Sequence, residues 1–398
     1  MTKNSIMSAL ALVLLFALAS CSSSDDDNKL PFDPSQQTFT DAAGLTLNYS
    51  GQPMVGKSVK VVPSASDVHK ATLTLAGDNQ LGDVADALFP GLSGTLDCPG
   101  VIPGSPFVNL DVTLKEDATG FNFSGDSETE YCTFSYTGRL ETTSLSLDIK
   151  NVKLKNLSLA GASWKLLPYV TDKNGAPTSN PITLVWQSTE NVGFLPLESL
   201  LAIATRIPLI PNPADPNGDA VCVGQILPMM LQAVNFGEDG NITARYLNSK
   251  TGAVTDSPVN LAQYVITSEG KMLFFLNPQA VIADTQKDSK SRAIDTSSIL
   301  VKLVPILGQY LAQGFPLEYS IDGNNMTASI GTEPLLTILK STVVPMLSDP
   351  ATLQQIEELI KSNEDMAGLA DLITPMIKAL PKAINATTKI QIGLNFTK

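Results

Sequence analysis

Gly51-Gln52-Pro53-Met54-Val55-Gly56-Lys57-Ser58, followed by Val59-Lys60-Val61-Val62-Pro63, admits two readings that lead to different folds. The first eight residues match G-x-x-x-x-G-K-[ST], with Gly51, Gly56, Lys57 and Ser58 in the defining places. Such a loop holds nucleotide phosphates when a strand precedes it and a helix follows. The helix N-terminus and successive backbone N–H groups then supply the attraction. Here the following residues are β-branched, alternate with period two and stop at a proline, which is strand chemistry. The stretch is therefore a connection between two strands, and nucleotide binding is excluded. On this reading Lys57→Ala should change neither stability nor ligand binding.

Working outward, the same alternation recurs. Strand patterns cover residues 45–49, 70–75, 107–114, 119–124, 131–139, 143–149 and 152–159, with turn chemistry at Asp117-Ala118-Thr119-Gly120 and Asp172-Lys173-Asn174-Gly175. One short helix is expected at 81–89. Many short strands with Gly and Pro punctuation predict an antiparallel β-sandwich or barrel over residues 38–188. Residues 189–398 change character. Helical spacing appears at 198–207, 221–233 and 296–313, the last closed by Gly314. Thr332 is expected to cap another helix, Asp349-Pro350 opens the next, and a last helix is expected at 365–379. Between them lie strand pairs at 232–248, 264–277 and 315–330, and the chain ends on an alternating strand at 389–396. Pro228, Pro305, Pro345 and Pro375 are each followed by two bulky apolar residues and must kink or start a helix. The fold class expected is mainly β with an α+β C-terminal half. That half is an antiparallel, calycin-like sheet packed with several Pro-kinked helices, whose Met-rich kinked segments are candidate walls of an apolar cavity.

Composition removes several functions. The 398-residue chain carries a formal net charge of −13 and a sequence pI near 4.6. With no basic stripe, it would repel nucleic acid. His69 is the one histidine, so a Ser-His-Asp triad or a multi-histidine zinc site has nothing to build on. No G-x-S-x-G or C-x-x-C occurs. Asp215, Asn217 and Asp219 place oxygens at alternate positions but lack the rest of a calcium loop, so no metal is assigned and no cofactor is expected. Glu128 with Glu130, or Glu238 with Asp239, are the carboxylate pairs that a glycan hydrolase would need, although no spacing rule selects either. Trp164 and Trp186 sit in apolar strand contexts and read as core rather than as sugar platforms. Cys98 and Cys132 share the β-rich half and are a candidate disulfide, worth about 3 kcal/mol on the chain-entropy model. Cys222 reads as a buried thiol.

Met1 to Ser20 has a positive residue, Lys3, an apolar run at 9–19 and small residues at its end, the three parts of a secretory signal. Leu18-Ala19-Ser20-Cys21 resembles the bacterial lipobox, which implies acylation of Cys21 and anchoring in a bilayer. Ser24-Asp25-Asp26-Asp27 resembles the acidic export tag of lipoproteins of the Bacteroidota. It implies the outer face of the outer membrane, with the periplasmic leaflet as the alternative. Residues 21–37 read as a flexible lipidated tether. In the second half, Phe236-Gly237-Glu238-Asp239-Gly240-Asn241-Ile242-Thr243-Ala244 and the run 264–276 resemble calycin or lipocalin-like lipoproteins of the Bacteroidota. The helices between 294 and 380 depart from a plain barrel of that kind. The expected function is a non-enzymatic surface module that binds or scaffolds a protein or glycan partner in nutrient uptake or adhesion. A carrier of a lipid-like ligand is the alternative, and a paired-carboxylate hydrolase comes third.

Overall fold

The structure is a computed structural model. It describes residues 37–79, 98–193, 195–208, 210–212, 218–248, 251–286, 310–362, 368 and 370–398. The expected signal at 1–20, Cys21 with most of its tether, the helix at 81–89, Pro305, Asp215 and Asn217 lie outside the described residues.

Ten strands build the first body: β1 (Gln37–Thr40), β2 (Leu45–Tyr49), β3 (Gln52–Pro53), β4 (Lys57–Pro63), β5 (Lys70–Gly77), β6 (Phe107–Thr113), β7 (Lys115–Glu116), β8 (Phe121–Glu128), β9 (Cys132–Leu140) and β10 (Leu145–Leu154). They form two sheets in the orders β1-β4-β5-β6 and β3-β2-β10-β9-β8-β7. Alternation drives the packing. Leu73 and Leu75 of β5, Leu110 and Val112 of β6, and Leu145, Leu147 and Ile149 of β10 are buried, while the residues between them stay wetter. This is the expected sandwich, with one difference: β2 and β10 pair in parallel, Leu45 opposite Leu145 through Tyr49 opposite Ile149. Parallel neighbours need a long connection, and most of the sandwich lies between these two. A bulge between Lys150 and Lys153, with Asn151 at φ 52°, returns Val152 and Leu154 to the core.

The second body contains β11 (Ser163–Leu166), β12 (Val170–Thr171), β13 (Pro177–Ser179), β14 (Ile182–Ser188), α1 (Leu197–Ala204), α2 (Val223–Met230), β15 (Leu231–Phe236), β16 (Asn241–Leu247), β17 (Val254–Asp256), β18 (Ala262–Ser268), β19 (Lys271–Leu276) and α3 (Pro278–Gln286). There follow β20 (Phe315–Asp322), β21 (Asn325–Ile330), α4 (Thr332–Ile338), a π-helical turn at Leu339–Val343, α5 (Val344–Ser348), α6 (Pro350–Ser362), α7 (Ala370–Asn385) and β22 (Thr387–Thr397). The strands run β11-β15-β16-β18-β19-β20-β21-β22, and β22 pairs back to β11. The antiparallel ladder thereby closes into an eight-strand barrel. The change of sheet falls between β10 and β11, ahead of the expected division at 188/189. The reason is that β11 and β14 supply backbone partners that β15 and β22 would otherwise lack.

The prolines act as their chemistry requires. Pro228 lies inside α2, and Pro375 and Pro381 lie inside α7. Pro345 opens α5 directly after the π-helical turn, a wider winding that leaves room around it. Asp349 caps α6, its carboxylate accepting the Thr352 N–H at 3.0 Å. Thr332 does not cap α4; Gly331 holds that position. The Thr332 hydroxyl instead accepts the Ile390 N–H and donates to the Ile390 carbonyl, tying α4 to β22. The helix expected at 221–233 stops at Met230, where the chain enters the barrel as β15.

The two bodies share one core that runs from Phe39 to Phe396. Polar bonds fix their register. Asn260 Nδ2 donates to the carbonyls of Tyr49, Gln52 and Pro53, and Asn277 Nδ2 donates to that of Val55 at 2.9 Å. Tyr49 donates back to the Asp239 carbonyl.

The expected bridge between Cys98 and Cys132 is not formed; both stand as buried thiols, as does Cys222. Cys98 lies in a loop beside the end of β5, whereas Cys132 belongs to the other sheet. The Cys98 N–H bonds the Asn79 side chain just beyond the end of β5. Cys132 opens β9, with its sulfur 3.5 Å from the Thr129 hydroxyl. A reducing agent should therefore leave the melting temperature unchanged. A fall of several degrees, the size expected for loss of about 3 kcal/mol, would show a bond.

Candidate functional site

The two ends of the barrel are built differently. At one end the strands are joined by tight turns: Gly237 to Gly240 between β15 and β16, Glu269-Gly270 between β18 and β19, and Gly323-Asn324 between β20 and β21. At the other end the described helices leave or enter. There α1 follows β14, α2 runs into β15, α3 follows β19, α4 follows β21 and α7 runs into β22.

Side chains near the turn end make a floor. Phe236 meets Tyr264 edge-on with ring centroids 4.9 Å apart, and Tyr264 donates its hydroxyl proton to the Gly237 carbonyl at 3.1 Å. Met272, Met326 and Phe396 are buried beside them. Near the helix end the inward side chains do not meet. They surround a cavity of about 840 Å³. Leu184 and Trp186 of β14, Val234 of β15, Ala244 of β16, Phe274 of β19 and Ile392 of β22 contribute walls, and Leu201 of α1, Leu227 of α2 and Val281 of α3 reach in from the helices. The void is legible along one strand face: Ile390 is fully buried and Phe396 is 4 % exposed, yet Ile392 between them is 38 % exposed. An apolar side chain on the inner face of a sheet stays that accessible when nothing packs on it.

The ladder explains the mouth. One edge of β22 is shared, with β14 bonded over Thr387 to Leu394 and β11 over Phe396 and Thr397. β14 and β15 share no hydrogen bonds. The side chains of α1 and α2 line the cavity beside these strands. A bridge between Ile210 and Val221 ties the helices together, and the Gly224 N–H reaches the Thr205 carbonyl at 3.4 Å. A Cβ at Gly224 would fall 2.6 Å from the Tyr169 ring, so only glycine lets α2 lie this close.

The residues singled out in the sequence are placed elsewhere. In the Gly51 to Ser58 stretch, Gly51 and Gly56 take positive φ, β3 folds back on β2, and β4 follows as a strand. The loop presents carbonyls to Asn260 and Asn277 of the barrel, the opposite polarity from a phosphate cradle. Lys57 is not a surface residue. It is 1 % exposed, on the same face of β4 as Val59 and Val61, and its Nζ donates to the Pro99 and Gly100 carbonyls at 2.8 and 3.1 Å. Burial pulls its pKa down to about 8, against the opposing pull of Cys98 and Asp41. Lys57 is thus a structural clamp, and the expectation that its removal would be neutral is corrected.

His69 is exposed in the turn before β5, and Asp219 is exposed. Among the described residues no three His, Cys, Asp or Glu side chains gather. Glu128 lines an open groove with Asp126 and is paired to Lys155 at 3.0 Å; Glu130 is exposed. The Asp239 carboxylate is bonded to Asn241. Trp164 and Trp186 are both buried, and Trp186 donates to the Thr387 hydroxyl at 2.7 Å. Of the kinked segments expected to wall an apolar cavity, the one around Pro228 contributes Leu227, while residues 343–347 and 373–377 are not among the lining. The remaining sequence trace is the apolar alternation of β15, β19 and β22, which reads the same for a filled core.

Comparisons with known protein families, with curated proteins and with solved structures find no match.

Lys57→Ala should lower stability by about 2 kcal/mol or more, because two buried carbonyls lose their donor and the side-chain stem leaves a void. Chemical denaturation measures this, with exposed Lys60→Ala as the control. The pH dependence has a definite sign. Between the folded value near 8 and the ordinary 10.5, the unfolded chain holds the proton more tightly, so stability from this group rises with pH across that window. Below pH 8 its contribution is constant. The variant should lose the rise.

Proposed function

We propose that this chain is a carrier of an apolar ligand, held in the barrel and tethered to the outer membrane through acylated Cys21. The observation that carries the reading is the unfilled inner face of the barrel. Closed barrels of eight strands are the size that encloses one small ligand, and 840 Å³ lies within the range of about 300–1,000 Å³ typical of ligand pockets. An apolar cavity of this size, with no side chain packed across it, is poised for occupation by an apolar ligand. At about 30 Å³ for each water-sized group, it has room for a long acyl chain or a sterol-like ring system.

The lipobox and the acidic stretch behind it support the tether and the outer-surface address. A scaffolding or adhesion role beside a nutrient-uptake system is the second reading, supported by that tether alone. It would place the partner on the outer surface. The large apolar side chains exposed there, among them Val62, Phe107, Val170 and Ile321, stand on separate strands.

Nile red, a neutral apolar dye, should bind the purified chain with a blue shift and enhanced fluorescence. Ala244→Phe and Ala262→Phe should abolish that binding without lowering the melting temperature, because the new rings enter empty space. In a filled barrel the same changes would overpack the core and cost about 1–3 kcal/mol. Loss of stability with no dye binding in the parent would overturn the carrier reading. Separately, Cys21→Ala should move the protein from the membrane to the soluble fraction with its melting temperature unchanged; retention in the membrane would overturn the tether.

A further inference from the structure

The cavity has a chemical polarity that narrows its ligand. Among the described residues its lining is aliphatic or aromatic except for the glycine at 393 and the hydroxyls of Thr205, Ser257 and Ser329; it contains no charged side chain. Ser329 is engaged on the β21–β22 ladder, where it accepts Gln391 Nε2 at 2.7 Å and reaches the Glu318 carbonyl at 3.5 Å. The other two hydroxyls keep unused capacity. Ser257 Oγ accepts the Ala244 N–H at 2.9 Å, which leaves its own proton to donate. Thr205 Oγ1 donates to the Ala202 carbonyl at 3.0 Å, which leaves its lone pairs to accept. Ser257 directly follows β17, which pairs with the far end of β16, and Thr205 is the C-terminal cap of α1. Both therefore belong to the helix end, opposite the floor of Phe236, Met272 and Phe396.

We propose that the cavity selects a neutral amphiphile, an alcohol or ester on one long apolar body, and seats it with the polar group at the helix end and the apolar end on the aromatic floor. This inference rests on the carrier reading above. A hydroxyl head matches one donor and one acceptor; an ester matches the Ser257 donor alone. A carboxylate finds no cation among the lining residues. Burying it unpaired is strongly unfavourable, and to reach the exposed Arg206 beside Thr205 it must withdraw its chain from the floor.

Competition for Nile red on the purified full chain at pH 8 tests this with three ligands of one chain length: dodecanol, methyl laurate and laurate. Dodecanol and methyl laurate should displace the dye at concentrations at least tenfold below that needed for laurate. Ser257→Ala should weaken dodecanol and methyl laurate several-fold. Thr205→Val should weaken dodecanol and leave methyl laurate unchanged, because the ester has no proton to give. An unchanged melting temperature and circular dichroism spectrum in both variants report an intact barrel, and each competitor's affinity is corrected for the variant's own Nile red affinity. Laurate competing as well as its methyl ester would overturn the neutral selection while the carrier reading stands. Variants that leave dodecanol unaffected would overturn the seating. Failure of the parent chain to bind Nile red would overturn both the carrier reading and this inference.

Discussion

Strand β22 holds the second body together through backbone hydrogen bonds on both edges. Its 11 residues pair with β21 on one side and with β14 and β11 on the other. A meander from β15 to β21 has two open edges, each a row of unpaired donors and acceptors. β22 removes one, and its last residues carry the ladder across to β11 and so to β15. The closure is incomplete by construction. One strand edge cannot bond two partners at the same level, so where β14 takes the edge, β11 gives it up. β14 and β15 are left without shared bonds at the end where the helices stand, and side chains of α1 and α2 line the cavity beside them.

This division explains the contrast between the two ends. Tight turns bring strands close and let Phe236, Tyr264, Met272 and Phe396 fill the barrel from wall to wall. Helical connections hold the strand ends apart, and the helices have two faces to satisfy. One face packs with Trp186, Ile384 and Ile390 in a small core of its own at this end. The other presents Leu201, Val223 and Leu227 to the interior without reaching across it. The sandwich stiffens the opposite flank. Asn260, at φ 65°, spends its amide on three carbonyls of the β2–β3 turn, and the buried Val265 beside it belongs to the common core. Gly56 approaches α3 so closely that a Cβ would lie 2.7 Å from Gln279.

Much of this was legible in residue patterns with a local cause. The alternation of β4, β5 and β10 gave strands where expected. Gly314, at φ 87°, ends the helical turn at 310–313, and a Cβ there would strike Phe275. Asp349 caps α6. What failed were inferences about direction and distance. The neutral outcome expected for Lys57→Ala follows from rejecting the phosphate loop alone, whereas the period-two partners Val59 and Val61 place Lys57 on the core face. Counting the alternation one residue further back would have shown it. Sharing one half of the chain suggests a pair between Cys98 and Cys132, but the fold puts Cys98 in a loop beside the end of β5 and Cys132 in the other sheet. The parallel pairing of β2 with β10 has no local signal, since it joins strands a hundred residues apart.

The sequence by itself determined most of the strand content, the cap of α6 at Asp349, the acidic charge and the strand that follows the Gly51 to Ser58 loop. These follow from φ preferences, side-chain period and charge, which act within a few residues. The tertiary structure alone decided that the barrel closes, that Lys57 is a buried clamp and that the apolar inner faces surround a void. An apolar strand face carries the same pattern whether its opposite wall is in contact or out of reach. The distance between walls is set by which strand β22 bonds at each level and by how far the helices hold the strand ends apart.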